Sequence, residues 1–437
     1  MCILTCLFVQ AQETTDLFTY ENIEPSPGKC LADHHREEIK ETLDRNSAKL
    51  RQAGKLTSHR SNAQPLFQWP LAQSPGINYP GYYVISNFVD QNPDEDETLD
   101  YNCEARTYDG HRGIDIRIEP YRWNKMNTNQ VRIVAAAPGE IIHKHDDEFD
   151  MSCEFGGSWN AVYLEHSDGS RTWYGHMKSG SLTNKAEGEN VVAGEYLGLV
   201  GSSGSSTSPH LHFEVYDSDG DLVDPFSGPC NDMNNNSWWA DQLPYYHSGI
   251  NRLITHGADP ENFDCPLQSV INEKYYFCPG EQVGFAAYYR DDLTANSSEF
   301  RLYDPDGVLS PVLSETYSRA GNYYSKAPYA RYTRTLPEDA KAGTWTFEVE
   351  YTSTTYGSVT YQQDFRIGYP CTPTYSFAFP QHNVPAYYVV SNAIQSVSDV
   401  PQGVHIWYDA KNVITLAPGF QAKSGGKFVA KIDGCDN

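Results

Sequence analysis

The chain has 437 residues and carries 57 Asp plus Glu against 32 Lys plus Arg, a formal net charge of −25. That length exceeds one ordinary core and predicts two to four domains, while 39% hydrophobic residues with 33 Gly, 26 Pro and 31 Tyr describe a soluble, turn-rich, mostly β protein rather than a disordered one. The acidic excess speaks against binding nucleic acid through its phosphates and favours a basic or neutral partner.

The first element is a short apolar run, Cys2 to Val9, followed by Val9-Gln10-Ala11. Residues 1–11 therefore read as a secretory signal cleaved after Ala11, although they lack a charged n-region. No other stretch is long and apolar enough to span a bilayer. Of ten cysteines, Cys2 and Cys6 would leave with the signal, so eight remain, at 30, 103, 153, 230, 265, 278, 371 and 435. An even number in an exported chain predicts disulfides, and the absence of Cys-x-x-Cys spacing argues against thiol metal ligands. The expected pairs are Cys103 with Cys153, Cys265 with Cys278, and Cys371 with Cys435.

The N-terminal segment, 12–65, contains one amphipathic helix between Cys30 and Leu56, with Ile39, Leu43 and Leu50 at helical spacing among charges. His34 and His35 fall on its polar side. From 66 to 230 run short β-type segments, VRIVAAA, GEIIHKH, NAVYLEH, RTWYGHM, YLGLVGS and HLHFEVY, separated by Gly, Asn, Asp and Ser, which predict a compact antiparallel sheet. Residues 231–262 lose periodicity and read as a linker packing over that domain through Trp238 and Trp239. Five alternating segments within 263–369 fit an immunoglobulin-like β-sandwich. Recurring short strands and Gly turns in 370–437 predict a small stacked β unit.

The chemistry-bearing residues all lie between 66 and 230. Four strings occur in order: His111-Arg-Gly-Ile-Asp115, Tyr174-Gly-His176, a Gly/Ser stretch from Gly198 to Ser208, and His210-Leu-His212-Phe-Glu214. On an extended strand His210 and His212 project from one face while Leu211 and Phe213 point to the other, so the pair offers a metal platform. Zinc takes nitrogen, sulfur and carboxylate ligands in a tetrahedron, and a catalytic site keeps one position open for water. His111 and Asp115 with one histidine of the pair complete such a site, which stays net positive and able to lower the pKa of a bound water. Hydrolysis also needs a proton acceptor and an oxyanion stabiliser that are not ligands. His176 and the spare histidine supply them; spacing leaves open which of His210 and His212 is the ligand.

These strings, with LFQWPL, AAAPGEI, WNAVYLEHSDG, the YLGLVGSSGSSTSPHLHFEV run and Asp224-Pro225, resemble the lysostaphin/LytM-type zinc peptidases of the M23 family over about Leu66 to Pro225. The resemblance implies one zinc ion on His111, Asp115 and His212, with His176 and His210 as the catalytic pair. It further implies His210 as general base and His176 as oxyanion stabiliser, roles that can exchange. Ser208 stands where the family usually has Gly, and EPYRWNKMNTNQ is longer than the usual turn, so loop shape departs while every chemical group stays. The tail is similar to the stack domains ending many secreted Bacteroidetes proteins, on Ala410, Ile414, Leu416, Gly419, Phe420, Phe428 and Ala430.

The function so implied is a secreted zinc endopeptidase cleaving peptidoglycan cross-link or stem peptides, a monomer acting outside the cell, at its surface or in the periplasm. A second reading changes the substrate to Gly-rich or elastin-like protein, and a third is a non-catalytic cell-wall scaffold or activator, disfavoured because all five key residues are present. His143 and His145, beside Asp146, Asp147, Glu148 and Asp150, are a rival metal candidate that reads better as a solvated rim of the groove. His166 reads as structural, donating to the turn at 167–169. Tyr323, Tyr324, Tyr387 and Tyr388 read as sheet packing before sugar stacking. The segment before Leu66 could lie across the groove and fill the open zinc position.

Overall fold

The computed structural model describes residues 18–20, 31–56, 63–261, 270–318, 324–368, 374–377, 386–390, 392–402 and 404–432. The expected signal, 1–11, lies outside them. So do Cys265, Cys371 and Cys435 with the two pairings they would make, and Tyr323.

Helix α1 (Asp33–Gln52) follows the short strand Phe18–Tyr20. Its stripe of Arg36, Leu43 and Ser47 is buried, and Leu43 joins Leu31 and Leu56 against Ile142, Trp159, Tyr163, Trp173 and Tyr216. The helix thus seals one face of the large sheet that follows.

That sheet is built from β1 (Tyr83–Asn87), β2 (Ile114–Ile118), β3 (Gly139–His145), β4 (Ala161–Glu165), β5 (Arg171–Gly175), β6 (Asn190–Val191), β7 (His210–Tyr216) and β8 (Leu222–Val223). Its order is β1-β2-β7-β5-β4-β3-β6, with β8 also on β7, and every pairing is antiparallel. A smaller sheet of Leu71–Gln73, Val131–Val134 and Tyr196–Leu199 packs behind it. Alternation on β7 decides the layering: Leu211, Phe213 and Val215 enter the core between the two sheets, and His210, His212, Glu214 and Tyr216 face the other way. Trp238 and Trp239 enter the same core against Phe67 and Phe213.

Two stretches differ from expectation. The long turn after Asp115 contains helix α2 (Arg122–Asn127), because Trp123 and Met126, three apart, both find the core. The expected linker, 231–262, contains strand β9 (Gly249–His256), which belongs to the sandwich sheet. Its register shifts between Ile250 and Arg252, so polar Asn251 and Arg252 interrupt the alternation that would have announced a strand.

The sandwich pairs β9 with β11 (Gln282–Arg290) and β14 (Tyr329–Thr335), edged by Phe18–Tyr20, over a second sheet. The second sheet consists of β10 (Tyr276–Phe277), β12 (Ser297–Tyr303), β13 (Glu315–Ser318), β15 (Gly343–Ser353) and β16 (Gly357–Ile367). The buried pair Arg106–Asp291, 2.6 Å apart, stitches this sandwich to the large sheet's domain. Tyr324 packs at the same junction, donating to Asp291 under the Arg106 guanidinium, so it serves packing. In the tail, Thr374–Phe377, Ala393–Ser396 and Val413–Leu416 form one parallel ladder, and Ala386–Val390, His405–Ala410 and Lys427–Lys431 a second.

Cys103 is bonded to Cys230, 127 positions away, and not to Cys153 as expected. Tyr101, beside Cys103, takes the Cys230 N–H on its carbonyl, so the two ends of the segment are already joined by backbone at this point. Among the described residues no helix is long and apolar enough to cross a membrane.

Candidate metal centre

The register of β2 against β7 sets His212 opposite Asp115, and the turn leading into β2 carries His111. The result is a buried cluster of three donors. His111 Nε2 lies 3.2 Å from Asp115 Oδ1 and 3.3 Å from His212 Nδ1, and His212 Nδ1 lies 2.7 Å from the same carboxylate oxygen. A tetrahedral ion with bonds of roughly 2.0–2.2 Å sets its ligand atoms about 3.3 Å apart, so the three atoms are spaced to share one ion. Among the described residues this is the one group of three or more such side chains with metal-holding proximity.

The remaining ring nitrogens are anchored. His111 Nδ1–H donates to the Phe88 carbonyl at 2.6 Å, and His212 Nε2–H donates to Glu214 Oε1 at 2.8 Å. Each anchor selects the tautomer whose lone pair points into the cluster. Burial pushes the Asp115 carboxyl upward, but the His111 and His210 rings beside it hold it well below the usual carboxylate range. Asn87 Nδ2 donates to Asp115 Oδ2 at 2.9 Å, leaving Oδ1 for the cluster.

The other two histidines border the cluster. His210 Nδ1–H donates to the Ser208 carbonyl at 2.7 Å, and its Nε2 lies 3.5 Å from Asp115 Oδ1. His176 Nδ1–H donates to the Ser203 carbonyl at 2.6 Å, and its ring centre is 4.4 Å from that of His210. Both rings therefore turn Nε2 toward the site. The Gly/Ser stretch sets their spacing: Gly201 N–H donates to the His176 carbonyl and Gly201 O accepts from the His210 N–H. A Cβ at Gly201 would come within 2.5 Å of the Lys178 backbone nitrogen, so this close passage demands glycine. Trp159 closes the wall, edge-on to His176 and 5.5 Å from the His212 ring.

The structure thus brings His111, Asp115, His176, His210 and His212 into one place. It leaves the rival pair apart: His143 Nδ1 lies 2.7 Å from Glu187 Oε1, and His145 Nε2 lies 2.9 Å from Glu148 Oε1. His166 closes the turn at 167–169 through its backbone carbonyl, while its buried ring bonds to the Pro138 carbonyl and the Thr172 hydroxyl, and burial lowers its pKa. The two departures from the family pattern meet each other, since Arg122 Nη1 on α2 donates to Ser208 Oγ at 2.8 Å. Glu214 and Arg36 carry no role in the sequence reading. For Glu214 the signal was present, because His-x-His-x-Glu on one strand puts all three side chains on one face; for Arg36, 178 positions earlier, there was none.

A buried His/Asp/His group that could hold one metal ion, with two further histidines beside it, is what the structure presents here. Residues 109–225 match Peptidase family M23, and this segment is an M23 peptidase domain. Over 163 residues the chain is 44% identical to glycyl-glycine endopeptidase ALE-1 of Staphylococcus capitis, covering 37% of this chain and 38% of that protein. Over 60 residues it is 50% identical to the DD-carboxypeptidase/endopeptidase Mpg of Neisseria meningitidis serogroup B, covering 14% and 13% respectively. Over 93 residues it is 37% identical to lysostaphin of Staphylococcus staphylolyticus, covering 21% and 16%. The chain therefore spans well under half the length of each of these relatives.

Proposed function

We propose that the protein is a zinc-dependent endopeptidase that hydrolyses peptide bonds of peptidoglycan cross-links. The observation that carries this reading is the convergence of His111 Nε2, Asp115 Oδ1 and His212 Nδ1 within 3.3 Å of one another, each positioned from behind. Zinc bound there supplies Lewis acidity to a water and to the scissile carbonyl. His210, its Nδ1–H fixed on Ser208, offers a basic Nε2 at the edge of the donor group and takes the proton of the attacking water. The His176 ring, in its protonated form, donates its Nε2–H to the developing oxyanion, and the proton that His210 took from the water passes to the leaving amine. Trp159 packs against the His176 and His212 rings and gives them an apolar wall on one side.

A glycyl-glycine endopeptidase and a DD-carboxypeptidase/endopeptidase among the relatives favour small, flexible bonds near Gly or Ala. The Cys103–Cys230 disulfide supports export to an oxidising compartment. The parallel ladders of the tail support reading it as a stack domain that positions the enzyme on a surface. Mass spectrometry of products from purified cell walls of known cross-link is the deciding experiment. New amino termini within the cross-link, lost in His111→Ala and Asp115→Ala, are expected. Digestion of elastin or casein with intact walls would move the substrate to protein, and wall cleavage surviving in both variants would overturn the assignment of the site.

A further inference from the structure

Helix α1 lies outside the segment that matches the peptidase family, yet it places a buried guanidinium directly behind the metal centre. Arg36 Nη1 donates to Glu214 Oε1 at 2.6 Å, to Glu214 Oε2, and to the Tyr216 hydroxyl at 3.0 Å. Glu214 is fully buried, and its Oε1 accepts the Nε2–H of His212. Tyr216 O–H completes the shell by donating to Glu214 Oε2 at 2.6 Å. The chain of contacts therefore runs without a gap from α1 through Arg36, Glu214 and His212 to the donor group.

We infer that Arg36 is a positioning residue of the metal centre, and that helix α1 is therefore an integral part of the catalytic unit rather than a detachable leader. The inference rests on the zinc reading above. Without Arg36, Glu214 is a buried charge that keeps only its bonds from His212 and Tyr216 and has lost its cationic partner, so it must draw in water, a proton or another cation. Its hold on His212 Nε2–H then loosens, and with it the orientation of Nδ1. Groups that orient a metal-ligating histidine in this way are worth roughly 10- to 100-fold in metal affinity. Arg36 is anchored on β7 beyond His212, and the helix walls a cavity of roughly 220 Å³ with His35, Glu38 and Thr42 over Trp159 and Tyr163.

The test uses the full chain and reads zinc affinity by competition with a chromogenic chelator, alongside the thermal midpoint of the metal-free protein. Arg36→Met is expected to bind zinc about 10- to 100-fold more weakly, with Arg36→Lys, which keeps the charge, recovering part of the loss. Arg51→Met is the control: Arg51, on the same helix, makes a part-buried ion pair with Glu165, away from the donor group. It is expected to lower the midpoint and leave zinc affinity unchanged. Equal weakening by Arg36→Met and Arg51→Met would overturn the inference, because the effect would then be loss of helix packing alone. Unchanged affinity in folded Arg36→Met would overturn it as well. Wild-type protein that binds no zinc would overturn the zinc reading itself, a result separable from the other two.

Discussion

Replacing Gly113 with Ala puts one methyl group against the metal centre. An added Cβ would lie 2.6 Å from His212 Nε2, 2.7 Å from Cε1 of the same ring and 2.9 Å from the Phe213 carbonyl oxygen. Ordinary contact begins near 3.4 Å, so the ring must retreat by about 0.8 Å or β2 must move away from β7. The backbone oxygen blocks the second route, since Phe213 sits in the central strand. The atom struck is the one that Glu214 holds, so retreat breaks the 2.8 Å bond and swings Nδ1 off its aim. Overpacking of this kind costs about 1–3 kcal/mol, and loss of the anchor weakens zinc binding about 10- to 100-fold. Chelator competition measures the affinity, and Gly257→Ala, whose Cβ would meet the flexible Lys274 side chain first, provides the control. A folded Gly113→Ala protein with zinc affinity within about twofold of wild type would refute the reasoning.

Other perturbations have equally defined outcomes. His256 is buried between the sandwich and α2's neighbourhood, and burial lowers its pKa to about 4. Its unfolded value is roughly 6.5, so the unfolded chain takes the proton first. The stability it leaves intact above pH 6.5 is lost as pH falls toward 4, by up to about 3 kcal/mol. Urea titrations at pH 7 and pH 4.5 should show that loss in wild type and a flatter profile in His256→Gln; identical slopes would contradict it. Changing both Cys103 and Cys230 to Ser should cost about 2–5 kcal/mol in unfolding free energy, read as a lower thermal midpoint, with zinc affinity kept in the folded protein. Arg106→Met strands Asp291 in the junction, at a cost of about 3–5 kcal/mol. Calorimetry should then resolve separate melting of the catalytic sheet and the sandwich where wild type melts as one.

The sequence revealed the site better than its surroundings, for a physical reason. Residues whose relation is set by strand period, His210, His212 and Glu214, or by a single turn, His111 and Asp115, need only local geometry to be placed together. Strands with clean alternation, such as Gly343–Ser353, were equally legible. Beyond those, tertiary context decides. β9 was hidden because its register shift disperses Ile250, Leu253 and Ile254 out of period two. Helix α2 is too short for periodicity, and only its burial of Trp123 and Met126 explains it. The partner of Cys103 and the guanidinium behind Glu214 both come from more than a hundred positions away, where no pattern in the chain connects them.

The Cys103–Cys230 bond encloses every one of the five site residues in a single covalent ring. A break in the backbone at any one position between those cysteines leaves both pieces attached to each other and to the rest of the chain. The protein can thus be cut once in a loop between these cysteines and still keep Asp115 and His212 on paired strands. For this fold, damage by a single cut is a change in loop shape rather than a loss of parts.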